Sequence, residues 1–274
     1  MTDIEVLDET GTNATLQHRI DRILTEVVPL VHPTTELELP PLVIYRIVSP
    51  QTWQSEQQSQ MNQAFTALRA RQPWWKKLAG ARREAAARSA FRRTAPLLRD
   101  LVMGATLPGP DLLSQTILTP EGLFHTGVST DETYLTQVVA HELVHHAQNR
   151  ASKHGARWAE SRSAPPGPAI SVLEEGHARW ADRQMTRKLF GTPVDADTAP
   201  RSDHYVQVAE DPRVADMYAA RQTPYTVGCD LVEAAVQGVG IQRLNQVWQD
   251  GLLLPNQHEM SEPELWAARL KTLT

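Results

Sequence analysis

The 274-residue chain has a single cysteine, Cys229, so it can close no internal disulfide, and that scarcity points to a reducing compartment. It also lacks any apolar run near the ~20 residues that a membrane-spanning helix requires. Runs such as residues 42 to 44 and 252 to 254 fall far short. The opening residues MTDIEVLDET carry acids where a secretory leader carries lysine or arginine, and no apolar stretch follows them. A cytoplasmic protein is expected. There is no internal repeat. Cys229 itself lies in the apolar run 227 to 232, where a small buried side chain is a simpler reading than a catalytic thiol.

What is present is the composition of an ordinary globular protein, 41% apolar and 22% charged, long enough for one large domain or two lobes sharing a cleft. The net charge of −5 hides an asymmetry. Nine lysines and arginines and one acid, Glu84, fall between Arg69 and Arg93, so that segment carries +8 and the remainder −13. A general nucleic-acid binder does not divide its charge this way. The segment PWWKKLAGARREAAARSAFRR reads first as a solvated helix face, because alanine, arginine and glutamate favour exposed helix. Its mixture of tryptophan with basic residues is also that of a membrane-surface helix, so a weak contact of residues 69 to 93 with anionic membranes is the second reading.

Helical spacing of Leu16, Ile20, Ile23, Leu24 and Val27 predicts a helix over 14 to 28, stopped by Pro29. LVIYRIV, 42 to 48, is β-branched and bounded by prolines, as a strand should be. A polar helix is expected to about Gln72, then the basic segment, then a break at Pro96 and a short apolar helix from Leu97 to Met103. TILTPEGLFHTG, 116 to 127, reads as a hairpin turning at Pro120-Glu121-Gly122. A helix from Ser129 or Thr130 to about Arg150 opens on the capping-box spacing of Ser129 and Glu132, and a second box, Ser171 with Glu174, opens another to Phe190. Residues 151 to 170 form a loop between them, and further helices are expected near 225 to 237, 241 to 250 and 261 to 272.

The chemistry lies in AHELVHHAQ, 140 to 148, where His141-Glu142-x-x-His145 falls mid-helix. Residues four apart share a helix face, so both imidazoles can bind one zinc ion, and Glu142 stands beside it as a general base. The third ligand is a carboxylate from the second helix, LEEGHARWAD, 173 to 182. Glu174 holds the position that caps Ser171, so Glu175 is preferred, with Glu174 as the alternative. His146 and His177 face elsewhere, as structural or substrate-contacting groups. Gln148 fits either the cleft or a polar helix end. His125 and His204 have no supporting spacing, and Trp158, Trp180, Trp248 and Trp266 read as core.

On these motifs the chain resembles the gluzincins, zinc peptidases with two histidines from one helix and a glutamate from the next, over roughly residues 129 to 245. Glu175-Gly176-His177-Ala178 is similar to the ligand motif of the aminopeptidase N branch. That resemblance implies that Asp182, seven residues on, supports the site, and that Tyr225, in Tyr225-Thr226-Val227-Gly228, donates to the oxyanion. The 29 residues between His145 and Glu175 exceed that branch's usual spacing, and no Gly-x-Met-Glu-Asn motif precedes the helix, so exopeptidase specificity does not carry over.

The expected fold is a mainly helical α+β, zincin-like unit. A small sheet from 42 to 48 and 116 to 127 lies above the metal helix in an amino-terminal lobe, 1 to 150, and a helical carboxy-terminal lobe, 151 to 274, supplies the third ligand. The expected function is zinc-dependent hydrolysis of peptide or protein substrates. Hydrolysis of a small amide, service to one dedicated protein partner, or a catalytically silent metal-binding role are the alternatives, and the intact Glu142 weighs against the last.

Overall fold

The structure is a computed structural model that describes residues 2–71, 74–108, 113–155, 167–212 and 214–272. It is mainly helical, with one four-stranded sheet. The strands are β1 (Asp3–Asp8), β2 (Leu42–Ile47), β3 (Gly104–Pro108) and β4 (Ser114–Leu118). They lie in the order β1-β2-β4-β3, with β1, β2 and β4 parallel and β3 antiparallel along the β4 edge. Glycine and proline bound β3, and its few residues lack a clear apolar alternation, so the sequence carries no local sign of this edge strand.

Helix α1 (Ala14–Thr35) buries Leu16, Ile20, Ile23, Leu24, Val27 and Val31 at three- and four-residue spacing. Each such side chain removed from water stabilises the fold by about 1.5–3 kcal/mol. The helix does not stop at Pro29. It runs through Pro29 and Pro33 and ends at Glu36, whose left-handed backbone (φ 52°) lets its N–H reach the His32 carbonyl. The two prolines are four residues apart on the exposed face, so the carbonyls they leave without an amide donor can be hydrated, while Val31, Thr34 and Thr35 extend the buried stripe.

Helices α2 (Pro50–Arg71) and α3 (Trp74–Leu98) pair through Glu84, which meets Arg69 at 3.3 Å and Arg88 at 2.8 Å, and through Arg88 over the Phe65 ring. Pro96 lies on the exposed side of α3 and does not break it; Leu97 and Leu98 end that helix, and residues 99 to 103 are not helical. Trp53 at one end packs with Val48, Val102 and Ile117, and Leu98 at the other with Leu101, Val208 and Val214. Arg82, Arg92 and Arg93 are exposed, as a solvated face requires; the side chains of Trp74, Trp75, Lys76, Lys77 and Arg83 lie outside the described residues. Among the described residues no helix is long and apolar enough to cross a membrane.

After β4 the chain forms no hairpin. Thr119 caps a short helix, α4 (Pro120–His125), by accepting from the Gly122 amide, with Pro120 at the first helical position. Gly122 is required there, since a Cβ would meet the Val102 carbonyl oxygen at 1.8 Å. The central helix α5 (Glu132–Ser152) is capped by Asp131, which accepts from the Thr133 amide at 2.8 Å. Ser129 sits in a preceding 3-10 turn, and Glu132 binds Arg19 and Arg22 rather than closing a capping box. Leu135, Val139, Leu143, Val144 and Ala147 of α5 are wholly buried, and Tyr45 of β2 donates to the Val139 carbonyl at 2.8 Å, fixing sheet over helix.

The carboxy-terminal half contributes α6 (Gly167–Phe190), α7 (Asp203–Ala209), α8 (Ala215–Val239), α9 (Ile241–Leu244), α10 (Gln257–Ser261) and α11 (Pro263–Thr272). Its Trp248, Trp266 and Leu270 join the same core as Ile20, Leu143 and Leu173, so the two halves share one interior, with Trp180 in it as well. Trp158 lies outside the described residues. Helices α6 and α8 cross at glycine on glycine. A Cβ on Gly176 would lie 2.1 Å from the Gly228 carbonyl carbon, and one on Gly228 would lie 2.1 Å from the Val172 carbonyl oxygen.

Gly176→Ala is therefore expected to destabilise the protein by about 3 kcal/mol, despite alanine's better helix propensity, because backbone must move to admit a methyl group. In a chain of this size that lowers Tm by roughly 6–12 °C. An unchanged calorimetric Tm would show that the two backbones do not meet.

Candidate metal centre

The centre forms where α5 packs on α6. His141 and His145 stand one turn apart on α5, their rings at 81° with centroids 4.9 Å apart. Their Nε2 atoms are 3.2 Å from one another, and Glu175 Oε2 of α6 lies 3.2 Å from the first and 3.6 Å from the second. Donors around one tetrahedral zinc ion at ~2.05 Å stand about 3.3 Å apart, so the three atoms already have the spacing of a shared ion. Among the described residues this is the one cluster of three such groups able to hold a metal.

The other ring nitrogens settle what the Nε2 atoms can do. His141 Nδ1 lies 2.9 Å from Asp182 Oδ2, and His145 Nδ1 lies 2.7 Å from Gln148 Oε1. Both partners are oxygen acceptors, so each neutral imidazole donates through Nδ1 and turns the Nε2 lone pair toward its neighbour. Two lone pairs and a carboxylate oxygen facing one another in a buried site repel unless positive charge sits among them, a metal ion or, without one, a proton on His141. The donor set therefore fits a metal ion.

Each support has its own place. Asp182 is seven residues, about two turns, after Glu175, so both carboxylates face α5. Asp182 also accepts from Gln137 Nε2 at 3.0 Å, and Gln137 Oε1 accepts from the Ala196 amide at 2.7 Å. Gln148 Nε2 donates to the Glu174 carbonyl at 2.9 Å and to His177 Nδ1 at 3.1 Å. Gln148 is thus a buried orienting group, not cleft lining. His177 is wholly buried between Trp180 and Trp248, and burial pushes its pKa down to about 3, as it does for His146. Neither is a ligand. His125 and His204 pair with one another, ring centroids 4.6 Å apart. Burial raises the Cys229 thiol to about 11, which leaves it a poor nucleophile near neutrality.

Electrostatics separate the two glutamates. Burial raises the Glu174 carboxyl to about 7, whereas at Glu175 the hydrogen bonds of His141 and His145 outweigh burial and hold it well below the usual carboxylate range. The preference for Glu175 stands, but its first reason does not: α6 begins at Gly167, so Ser171 is already inside the helix and Glu174 caps nothing. What distinguishes the two is the ~100° that one residue turns on a helix.

Glu142, nearly buried, follows His141 on α5 and accepts from Thr106 Oγ1 at 2.6 Å; a Cβ on Gly104 would lie 3.4 Å from its other oxygen. Tyr225 comes from α8, its ring 5.7 Å from that of His141. Pro224 does not open that helix but lies within it. Met103, Gly104, Gln137, His141, Glu142 and Tyr225 line one pocket, which Arg179 also lines, paired with Asp195 at 2.5 Å and Asp197 at 3.2 Å. Arg179 is four residues after Glu175, the one signal by which the sequence could have placed it at the site.

No protein-family model and no curated protein matches the chain. The fold has a solved counterpart. A crystal structure from Chloroflexus aurantiacus, described as that of a candidate hydrolase with a novel fold, is similar with a TM-score of 0.55 over 96% of this chain and 92% of that one. At 14% identity the likeness is one of fold.

Two measurements test the centre. Glu175→Ala should abolish binding of one metal ion per chain while Glu174→Ala retains it, as read by elemental analysis; the reverse result would reassign the ligand. Without metal, burial disfavours a charged His141, but Asp182 and Glu175 outweigh it and raise its pKa from 6.5 to about 10. The stability this lends the metal-free protein is complete below pH 6.5 and is lost as pH rises through about 10. Zinc added to chelator-treated protein near pH ~8 should accordingly release about one proton per chain from His141, detectable with an indicator dye. Binding without proton release would show that the ring is neutral before the metal arrives.

Proposed function

We propose that this chain is a zinc-dependent metallopeptidase of gluzincin type, with a zincin-like arrangement of sheet, metal helix and following helical half. The observation that carries the reading is an open set of three donors, His141, His145 and Glu175, with Glu142 beside it on the same helix. Two imidazoles and one carboxylate are a common catalytic zinc set, and three protein ligands leave a fourth position for water or substrate. Bound there, zinc would polarise water and the scissile carbonyl.

The chain's own groups account for the other steps. Glu142 takes a proton from the attacking water and delivers it to the leaving amine, which carries the reaction through without a second acid. Tyr225 approaches from α8, with its ring 5.7 Å from that of His141, and its phenol donates to the oxygen on which charge develops. Asp182 keeps His141 in the tautomer that presents Nε2. Strand β3 favours a peptide over a smaller amide. Among the described residues it is an edge strand of the sheet, and it carries Gly104 and Thr106 against Glu142, so an extended peptide laid along it would bring a backbone carbonyl to the site. The description of the Chloroflexus protein as a candidate hydrolase points the same way.

Cleavage mapping on a mixed peptide library, with and without chelator, tests the class: chelator-sensitive cuts support a peptidase, and intact peptides alongside hydrolysis of small amides would favour the smaller substrate. Glu142→Gln should keep the metal and lose turnover, since a nearly isosteric amide cannot accept the proton.

Tyr225→Phe deletes only the hydroxyl and should lower kcat by roughly 10²–10³ with metal content and Tm unchanged. Wild-type turnover in that variant would remove the oxyanion role and reduce the aminopeptidase likeness to the metal site.

A further inference from the structure

We propose that Thr106, Thr116 and His146 form a one-way hydrogen-bond chain that positions Glu142, making all three positioning residues for the reaction. The inference rests on Glu142 as the base and concerns groups that the metal set leaves unused.

Helix α5 carries two pairs at four-residue spacing. His141 and His145 face α6; Glu142 and His146, one residue further round, face the sheet. Glu142 Oε2 lies 2.6 Å from Thr106 Oγ1, which lies 2.7 Å from Thr116 Oγ1, which lies 2.9 Å from His146 Nε2. Thr106 and Thr116 are register partners across β3 and β4, so sheet pairing sets the middle of the chain. A slip of one residue would turn either hydroxyl to the other face and break it. His146 is wholly buried and stacks on Tyr45 at 5.9 Å, and Tyr45 is itself fixed by its bond to the Val139 carbonyl.

The direction of every link follows from counting protons. A base begins as a carboxylate, which only accepts, so the Thr106 hydroxyl donates to Glu142. Its oxygen must then accept from Thr116. With that proton committed, the Thr116 oxygen accepts from His146 Nε2–H. His146 is therefore the Nε2–H tautomer with a bare Nδ1. Among the described residues Nδ1 is buried without a hydrogen-bond partner, so the opposite tautomer or a charged ring would bury an unpartnered N–H instead. All donors point toward Glu142. Tying Oε2 fixes the carboxylate plane and leaves Oε1, on the Gly104 side, as the oxygen that meets water.

Two readings on the zinc-loaded protein test this. Long-range ¹H–¹⁵N histidine correlations, with the signal assigned by its loss in His146→Asn, should show Nε2 protonated and Nδ1 not; a protonated Nδ1 overturns the chain. This readout needs no substrate, so it stands whether or not Glu142 is the base. On a cleaved library peptide, Thr106→Val should lower kcat by roughly 10- to 100-fold with KM and metal content close to wild type. Thr106→Ser, which restores the hydroxyl, should recover most of the loss. Valine keeps the β-branched shape the strand favours, so a change from packing alone would appear in Tm rather than in kcat. Unchanged kcat in Thr106→Val with metal bound overturns the positioning role, whereas retained turnover in Glu142→Gln would strike at the base itself and leave the tautomer result untouched.

Discussion

Three electron-rich atoms from two helices lie within 3.6 Å of one another in a largely buried site, and the rest of the molecule is arranged to keep them there. Such a set is unfavourable by itself: lone pairs repel, and burial strengthens that repulsion because little water screens it. Positive charge among them makes it favourable: a bound metal ion or, in the metal-free protein, a proton on His141. Every buried polar group around it accordingly restricts the ligands. Asp182 and Gln148 orient the two imidazoles, Gln137 holds Asp182 and ties it to the Ala196 turn, and Gln148 reaches on to Glu174 and His177. Removing one member would strand the next, so the network specifies a single geometry rather than adding independent increments of stability.

The same constraint explains why α5 is so deeply buried and so unlike an ordinary amphipathic helix. One side must meet α6 through His141 and His145, the adjacent side must meet β3 and β4 through Glu142 and His146, and the remainder joins the main core through Leu135, Val139 and Leu143. Between Leu135 and Gln148 only His145 is more than slightly exposed, and the polar residues there are hydrogen-bonded or belong to the three-donor cluster. That explains why His146 could not be read from spacing alone. Its position one residue beyond a ligand excluded it from the metal, but its partners lie on strands whose pairing no local pattern reveals.

Other elements divide along the same line between local and tertiary causes. The clustered histidines and the β2 strand were legible because a four-residue spacing and a β-branched run bounded by prolines act within a few residues. Glu175 and Asp182 were legible through their place on the following helix, although Ser171 was credited with a cap it does not provide. Strands β1 and β3 were not, since β1 alternates with acids and β3 is a short glycine-to-proline edge. Pro29 and Pro96 read as stops, yet both lie on the exposed side of a helix that continues past them, because a solvent-facing proline loses one hydrogen bond while the buried residues beyond it gain more. The hairpin expected at Pro120 is a capped helix, since Thr119 and Pro120 suit a helix start as well as a turn and only the approach of Val102 to Gly122 decides between them.

The crossing of α6 and α8 gives the glycines of both family-like motifs a packing role. Gly176 follows Glu175 directly, and Gly228 lies three residues after Tyr225, so the closest approach of the two backbones falls within one turn of each functional side chain. At that point nothing flexible lies between the helices: the atoms a Cβ would strike are backbone carbonyl carbon, carbonyl oxygen and Cα. A ligand and a phenol placed beside such a contact inherit its rigidity, because a shift of α8 relative to α6 would require backbone to pass through backbone. The distance from Tyr225 to the metal ligands is thus set by main-chain contact between two helices, with side-chain packing left to adjust the walls of the pocket around it.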